Sequence, residues 1–279
     1  MKRLDLHAHS TASDGTYEPS KLVFLAKLAR LAGLALCDHD TVDGLTEFLE
    51  AGQALGFPTI GGVEVSLEYQ KTTHLLGLGV GRLGGLTSLL TKYQERRLDR
   101  NRRLFEKLQG LGLELDWSRL EELSASGQMG RPHFAQHLIE RGYANDIQEA
   151  FKLYLAKGSP GYVDKVRPQP EEAASMLIGA GFAPVLAHPI SVGLTKSEWE
   201  RRITWWKDLG LVGLEVYHPD QSTEFSHFLN SIAKKFKLVA TAGSDFHGAN
   251  KKTPLTWVKD NCPLGLEVLD ELKMALEQL

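Results

Sequence analysis

Short apolar runs alternate with helical periodicity at both ends of this 279-residue chain, and that rhythm limits the fold more than any other feature. Residues 3–9 alternate polar and apolar, the period of a strand. Within 18–31, Leu22, Leu25, Ala26 and Ala29 recur at helical spacing. A short apolar strand over 34–37, a helix over 43–55 and strands over 58–65 and 73–80 follow. The last third repeats the pattern: strand 183–187, helix 196–209, strand 212–217, helix 221–235, strand 238–242 and helix 266–277. Alternating strands and helices predict a parallel sheet, and about seven such units in one chain favour a barrel over an open sheet.

The middle breaks the rhythm. Residues 86–156 contain no convincing strand; an arginine-rich helix over 88–109 is followed by shorter helical pieces. Gly158-Ser159-Pro160-Gly161 and the prolines Pro168 and Pro170 punctuate the return. The expected organisation is a barrel domain from 1–80 and 172–279, with 81–171 a helical insertion domain covering the active site. Within the long helix, residues 95–103 carry five arginines and two acids, which read either as a solvated face or as a cationic wall.

Charge and cysteine usage exclude several classes. Lys and Arg total 32 against 35 Asp and Glu, a net charge of −3, so the chain is not a bulk nucleic-acid binder. Cys37 and Cys262 are the two cysteines, too few for a disulfide scaffold or a Cys-ligated zinc site. The N-terminus lacks an apolar h-region and no run approaches a membrane span, so a cytoplasmic location is expected. Ten histidines stand out.

Most of those histidines sit beside acids at expected strand ends. His7 and His9 are i and i+2 on the first strand and share a face. Asp14 lies in the following turn; Asp38-His39-Asp40 ends the second strand, and Glu64 the third. His74 opens the fourth strand, His188 ends the fifth, and Asp245 and His247 end the last. Each has a bland reading as a cap, a salt-bridge partner or a surface histidine. Their recurrence at strand C-termini, where barrel enzymes build their sites, argues against all of those at once. A His, Asp and Glu set without Cys suits Mn²⁺, Zn²⁺ or Fe²⁺. Nine such residues are too many for one ion, and clustered ions suit phosphoester hydrolysis.

Asp5-Leu6-His7-Ala8-His9, Asp38-His39-Asp40, Gly62-Val63-Glu64, Ala187-His188-Pro189 and Gly243-Ser244-Asp245-Phe246-His247 together resemble the motifs of the PHP (polymerase and histidinol phosphatase) superfamily. The resemblance spans residues 5–247. It implies a distorted (βα)₇, TIM-like barrel holding three divalent ions, manganese first, with iron or zinc as alternatives. One ion would be held by His7, His9, Glu64 and Asp245, a second by Glu64, His74 and His188, and a third by Asp14, His39 and His247. Gly130-Arg131-Pro132-His133 resembles a further motif of these phosphoesterases and makes Arg131 and His133 candidate phosphate contacts. His218, after the sixth strand, is a third candidate, and Asp5 is either a residue orienting an imidazole or a strand-end salt bridge.

The implied activity is hydrolysis of the 3′-phosphate of nucleoside 3′,5′-bisphosphates, trimming of short 5′-phosphorylated oligonucleotides from the 5′ end, or both. The expected partner is a nucleotide or short oligonucleotide, with no membrane and no stable protein partner. The alternatives are a histidinol-phosphate-type phosphatase and a non-catalytic metal-binding module. An amidohydrolase is disfavoured, because the lysine bridge of that class has no obvious counterpart.

Overall fold

The computed structural model describes residues 3–79, 83–124, 129–164 and 166–279. The chain divides into two units, one formed by Met1–Leu90 with Arg167–Leu279 and the other by Thr91–Val166.

The first unit carries one seven-stranded sheet in sequence order. Its strands are β1 (Leu4–Ala8), β2 (Gly33–Leu36), β3 (Thr59–Ser66), β4 (His74–Leu78), β5 (Ala183–Leu186), β6 (Gly213–Tyr217) and β7 (Val239–Ala242). The sheet curls until its ends nearly meet. His9 N–H donates to Phe246 O and Asp245 N–H to His7 O, both at 2.9 Å, so the segment after β7 pairs with β1 and makes an α/β barrel. Helices α1 (Pro19–Leu28) and α2 (Leu45–Leu55) follow β1 and β2. Later in the chain the same unit adds α7 (Pro170–Gly179), α8 (Lys196–Asp208), α9 (Thr223–Phe236), α10 (Trp257–Asn261) and α11 (Glu267–Leu276). Helix α8 shows why such segments dock: Trp199, Ile203 and Trp206 fall on one stripe and are fully buried. Trp199 and Trp206 are core residues.

The expectation of a parallel sheet holds for β1–β2–β3 and β5–β6–β7 but fails at β4, which is antiparallel to both neighbours. Residues 67–73 join β3 to β4 without a helix, too short a link for a parallel crossover. The strand expected over 73–80 is observed as His74–Leu78, and Val80 lies outside the described residues. The reversal matters for the site. His74 opens its strand, yet it pairs with Ser66, the last residue of β3, so it reaches the same end of the barrel as the C-termini of the parallel strands.

The second unit is helical. Helix α3 (Leu83–Gly110) leads into it, and α4 (Trp117–Ser124), α5 (Arg131–Glu140), α6 (Ile147–Ala150) and a π-helical turn over Phe151–Leu155 complete it. Leu104, Leu108, Leu120, Phe134 and Leu138 form its core. The start of α3 belongs to the barrel unit, because Leu86 and Leu90 are buried in that unit's apolar cluster. The domain boundary expected at 80/81 lies outside the described residues. On the return, Glu68 N–H donates to Pro168 O at 2.9 Å, which ties residues from 167 onward to the barrel. Among the described residues no helix is long and apolar enough to cross a membrane.

Candidate metal centre

One end of the barrel gathers the ligand-type side chains, each delivered by a strand or the loop just after it. His7 lies in β1, and His9 and Asp14 follow that strand. His39 follows β2, Glu64 lies in β3 and His74 opens β4. His188 follows β5, His218 follows β6, and Asp245 and His247 follow β7. Three non-glycine residues here adopt left-handed backbone: Asp40 (φ 53°), His188 (φ 26°) and Asp245 (φ 51°). Such conformations cost about 1–3 kcal/mol each and persist where surrounding bonds over-determine them. Those bonds are present. Asp40 N–H donates to Glu64 O at 2.9 Å, His188 N–H to Glu215 Oε2 at 2.6 Å, and Asp245 N–H to His7 O at 2.9 Å.

Glu64 is the hub. It is fully buried, and its Oε2 faces His39 Nδ1 at 2.9 Å and both His7 Nε2 and His9 Nε2 at 3.3 Å. None of these contacts makes a hydrogen bond, and Glu64 Oε2, His7 Nε2, His9 Nε2 and His39 Nδ1 are all buried without a hydrogen-bond partner. The other oxygen, Oε1, lies 2.7 Å from His74 Nδ1 and 2.8 Å from His188 Nε2. Asp245 Oδ1 lies 3.2 Å from His9 Nε2 and 3.3 Å from His247 Nδ1, and Asp14 Oδ1 lies 3.3 Å from His247 Nε2.

Hydrogen bonds at Nδ1 set the tautomers of His7 and His247. His7 Nδ1 lies 2.9 Å from Glu215 Oε1, an acceptor with no proton to give. His247 Nδ1 lies 2.8 Å from the Asp245 main-chain carbonyl. His188 Nδ1 lies 2.7 Å from Ser191 Oγ, a hydroxyl that also lies 2.8 Å from Thr72 O and 2.9 Å from His188 O. His7 and His247 therefore carry the proton on Nδ1 in the neutral ring and present an Nε2 lone pair inward, whereas His188 Nε2 hydrogen-bonds to Glu64 Oε1. Lone pairs converging on carboxylate oxygens repel one another unless a cation sits among them, so the donor set fits divalent metal ions.

Among the described residues, three groups of donor atoms lie close enough to share an ion: His7, His9, Glu64 and Asp245; His9, Asp14, His39 and His247; and His39, Glu64 and His74. The first is the quartet expected from the sequence. The other two regroup the expected residues. His9 joins Asp14, His39 and His247, and His39 stands beside Glu64 and His74 where His188 was expected. His188 still reaches Glu64 Oε1 alongside His74.

Electrostatics favour the same occupant. The imidazoles crowd, with ring centroids 4.0 Å apart for His9 and His247 and 4.6 Å for His9 and His39. Burial, then the neighbouring His247, push the His9 pKa down to about 3. Burial likewise lowers His74 to about 4, against the pull of Glu64. His39 goes the other way: burial opposes its charge, but the Glu64 and Asp14 carboxylates prevail and raise it to about 9. Burial disfavours the Glu64 and Asp245 carboxylates, and the surrounding histidines, His39 and His74 first for Glu64 and His7 first for Asp245, hold both well below the usual range.

Hydrogen bonds brace the cluster from outside. Asp38 accepts from Ser10 N–H at 2.8 Å and from the Ser10 and Ser13 hydroxyls at 2.6 Å, which fixes the loop carrying Asp14. Asp5 holds the main chain and not an imidazole: its Oδ1 accepts from His7 N–H at 3.2 Å and from Ser244 N–H at 3.0 Å. Gly243 packs so tightly that a Cβ there would collide with His7 Cβ and Glu215 Oε1. Gly243→Ala is expected to destabilise the protein by about 1–3 kcal/mol and to displace His7. Chemical denaturation checks this, and a variant with wild-type stability would contradict the packing argument.

Two residues of the site escaped the sequence reading. Glu215, inside β6, is fully buried against His7 and His188. Lys251 pairs through Nζ with Asp245 Oδ2. His218 Nε2 approaches that same oxygen at 3.4 Å, and the ring is buried. Beside the cluster a pocket of about 180 Å³ is lined by His39, Glu64, His74, His188, Ser191 and Lys251, among others.

Arg131 and His133 belong to the helical unit. Arg131 Nη1 donates to Leu155 O at 3.1 Å, and its guanidinium lies 5.7 Å from the ring centres of Phe151 and Tyr162. His133 Nδ1 accepts from Gly130 N–H at 2.9 Å and so caps α5. Within the arginine-rich run, Arg100 is fully buried while Arg96, Arg102 and Arg103 are exposed, so the run is not uniformly a solvated face.

Known proteins resemble this chain along most of its length. A family model described as PHP domain matches residues 5–167. A 3′,5′-nucleoside bisphosphate phosphatase of Chromobacterium violaceum is 34% identical over 255 residues, 88% of each chain. A 5′-3′ exoribonuclease of Haemophilus influenzae is 33% identical over 261 residues, 92% of this chain and 93% of its own. A crystal structure from Bifidobacterium adolescentis, assigned as a metal-dependent phosphoesterase, superposes with a TM-score of 0.84 at 28% identity, covering 98% of this chain and 96% of its own.

Proposed function

This chain belongs to the PHP domain family and is a metal-dependent phosphoesterase, and on that premise we propose its substrate, its metals and the roles of its residues. The substrate is a nucleotide, either a nucleoside 3′,5′-bisphosphate losing its 3′-phosphate or a short 5′-phosphorylated oligonucleotide trimmed from its 5′ end. Relatives carrying each of these names match at nearly equal identity, and both reactions hydrolyse a phosphoester. The observation that carries the proposal is the buried set of inward lone pairs around Glu64.

The residues divide the work as follows. His7, His9, Glu64 and Asp245 hold one ion, Asp14, His39 and His247 a second, and Glu64 with His74 and His188 a third, with manganese the first candidate. The chemistry such ions supply is charge neutralisation at phosphoryl oxygens and acidification of water. Glu215 and the Asp245 carbonyl hold the imidazole protons on Nδ1 of His7 and His247. His218 accepts from Asp220 N–H at Nδ1, keeps its proton on Nε2, and is proposed to offer it to a phosphate oxygen. Arg131 and His133 are proposed as phosphate contacts on the G-R-P-H motif alone.

A direct assay tests the reading. Purified protein is measured for bound Mn, Fe and Zn and then given adenosine 3′,5′-bisphosphate, 5′-phosphorylated RNA oligonucleotides and histidinol phosphate, each with Mn²⁺. Phosphate or mononucleotide release from the first two, and little from the third, is expected. Preference for histidinol phosphate would overturn the substrate class, and inertness toward every substrate would point to a non-catalytic metal-binding module.

A further inference from the structure

We infer that Glu215 is a positioning residue that sets the geometry of two metal positions at once. The inference rests on the metal-centre reading above. Glu215 sits in the middle of β6 between Leu214 and Val216, with its side chain fully buried. Both carboxylate oxygens are used, and both are used on the proposed ligands. Oε1 lies 2.9 Å from His7 Nδ1, and Oε2 accepts from the His188 main-chain N–H at 2.6 Å. The first bond places the His7 proton on Nδ1 and leaves the Nε2 lone pair facing Glu64 and Asp245. The second holds His188 at φ 26°, a backbone conformation its side chain does not favour, and so aims its ring at Glu64 Oε1. His7 and His188 belong to different proposed ion positions. Glu215 therefore links them through one rigid side chain.

The residue type is part of the argument. Both partners are donors, and Glu215 satisfies both because a carboxylate accepts through each oxygen. A glutamine has the same shape but turns one acceptor into an NH₂ donor, which would face either the His7 Nδ1–H or the His188 N–H. In the first case His7 must move its proton to Nε2 and loses its inward lone pair. In the second, the strained turn at His188 loses its anchor. The main chain around Glu215 is itself fixed: Gln221 Nε2 donates to Val216 O at 2.8 Å and to Glu215 O at 3.3 Å.

The test compares wild type with Glu215→Gln by Mn²⁺ titration of the chelated full-length protein and by ¹⁵N-resolved NMR of the histidine side chains. For wild type, metal binding and a hydrogen-bonded His7 Nδ1–H resonance in the metal-free protein are expected, the assignment made by its loss in His7→Gln. For Glu215→Gln, affinity at two or more ion positions is expected to fall about 10–100-fold, with the His7 resonance lost or moved to Nε2. Wild-type affinity in a folded Glu215→Gln protein would overturn the inference. So would a wild-type His7 that carries its proton on Nε2, a result that does not depend on the variant folding. If wild type binds no metal, the metal-centre reading fails; if wild type binds and Glu215→Gln binds equally, this inference alone fails.

Discussion

Glu64→Gln is expected to lower kcat/KM by on the order of 10³-fold or more, about 4 kcal/mol of transition-state stabilisation, while leaving the metal-free protein folded. The two halves of this outcome have one cause. Glu64 touches five imidazoles, His39, His7 and His9 through Oε2 and His74 and His188 through Oε1. At Oε1 the carboxylate accepts from His74 Nδ1 and His188 Nε2, while at Oε2 it faces three imidazole nitrogens without a hydrogen bond, an arrangement that fits a cation. As a glutamine it would keep one acceptor oxygen for His74 and His188 and turn an NH₂ group toward the nitrogens at Oε2, with the same shape and no charge. The substitution removes the charge that would hold metal and, in the metal-free protein, the charge that pairs with His39. Metal analysis should show fewer ions per chain, and circular dichroism of the chelated variant should show the fold retained. Wild-type turnover in Glu64→Gln would remove the central residue of the proposed site.

How much of this was legible in the sequence follows from the period of each element. His7 with His9, and Asp245 with His247, are visible because residues two apart on an extended segment share a face. Glu64 is visible as an acid near the end of an apolar strand. His74 was visible as a ligand type but looked misplaced, because antiparallel pairing at β4 depends on the length of the 67–73 link and not on any residue pattern. Glu215 carried a signal that was passed over: it sits two residues from Gly213 and Tyr217, on the face opposite Leu214 and Val216, so a charged residue was pointing where a barrel interior lies. Arg100 carried none. Its neighbours in the run are also arginines, and only the packing of the helical unit decides which of them is buried. Ligand grouping was illegible for a related reason, since His39 stands close enough to serve either of two groups.

Stripping the metal is expected to lower the melting temperature by roughly 5–10 °C for each site that had been held at 100 times its dissociation constant, and to abolish hydrolysis until Mn²⁺ is restored. The stability figure follows from linkage: binding to the folded state alone contributes about 2.7 kcal/mol at that saturation, and a chain of this size shifts roughly 2–4 °C per kcal/mol. The effect should grow with pH, and the sign comes from His39. Its pKa in the metal-free fold is raised to about 9 from an ordinary 6.5, against the cost of burial and because of Glu64 and Asp14. A raised histidine contributes stability that is fully present below its unfolded pKa and is lost as pH rises through the folded one. Between pH 6.5 and pH 9 the chelated protein therefore loses the proton that substitutes for a cation beside Glu64, while the loaded protein, whose His39 binds as the neutral ring, loses nothing there. The melting-temperature gap between loaded and chelated protein should widen over that interval. Differential scanning calorimetry at pH 6.5, 7.5 and 8.5, with EDTA and with Mn²⁺, reads the gap directly. A gap that is absent, or that narrows as pH rises, would mean that the buried imidazoles and carboxylates are balanced by one another and not by bound ions.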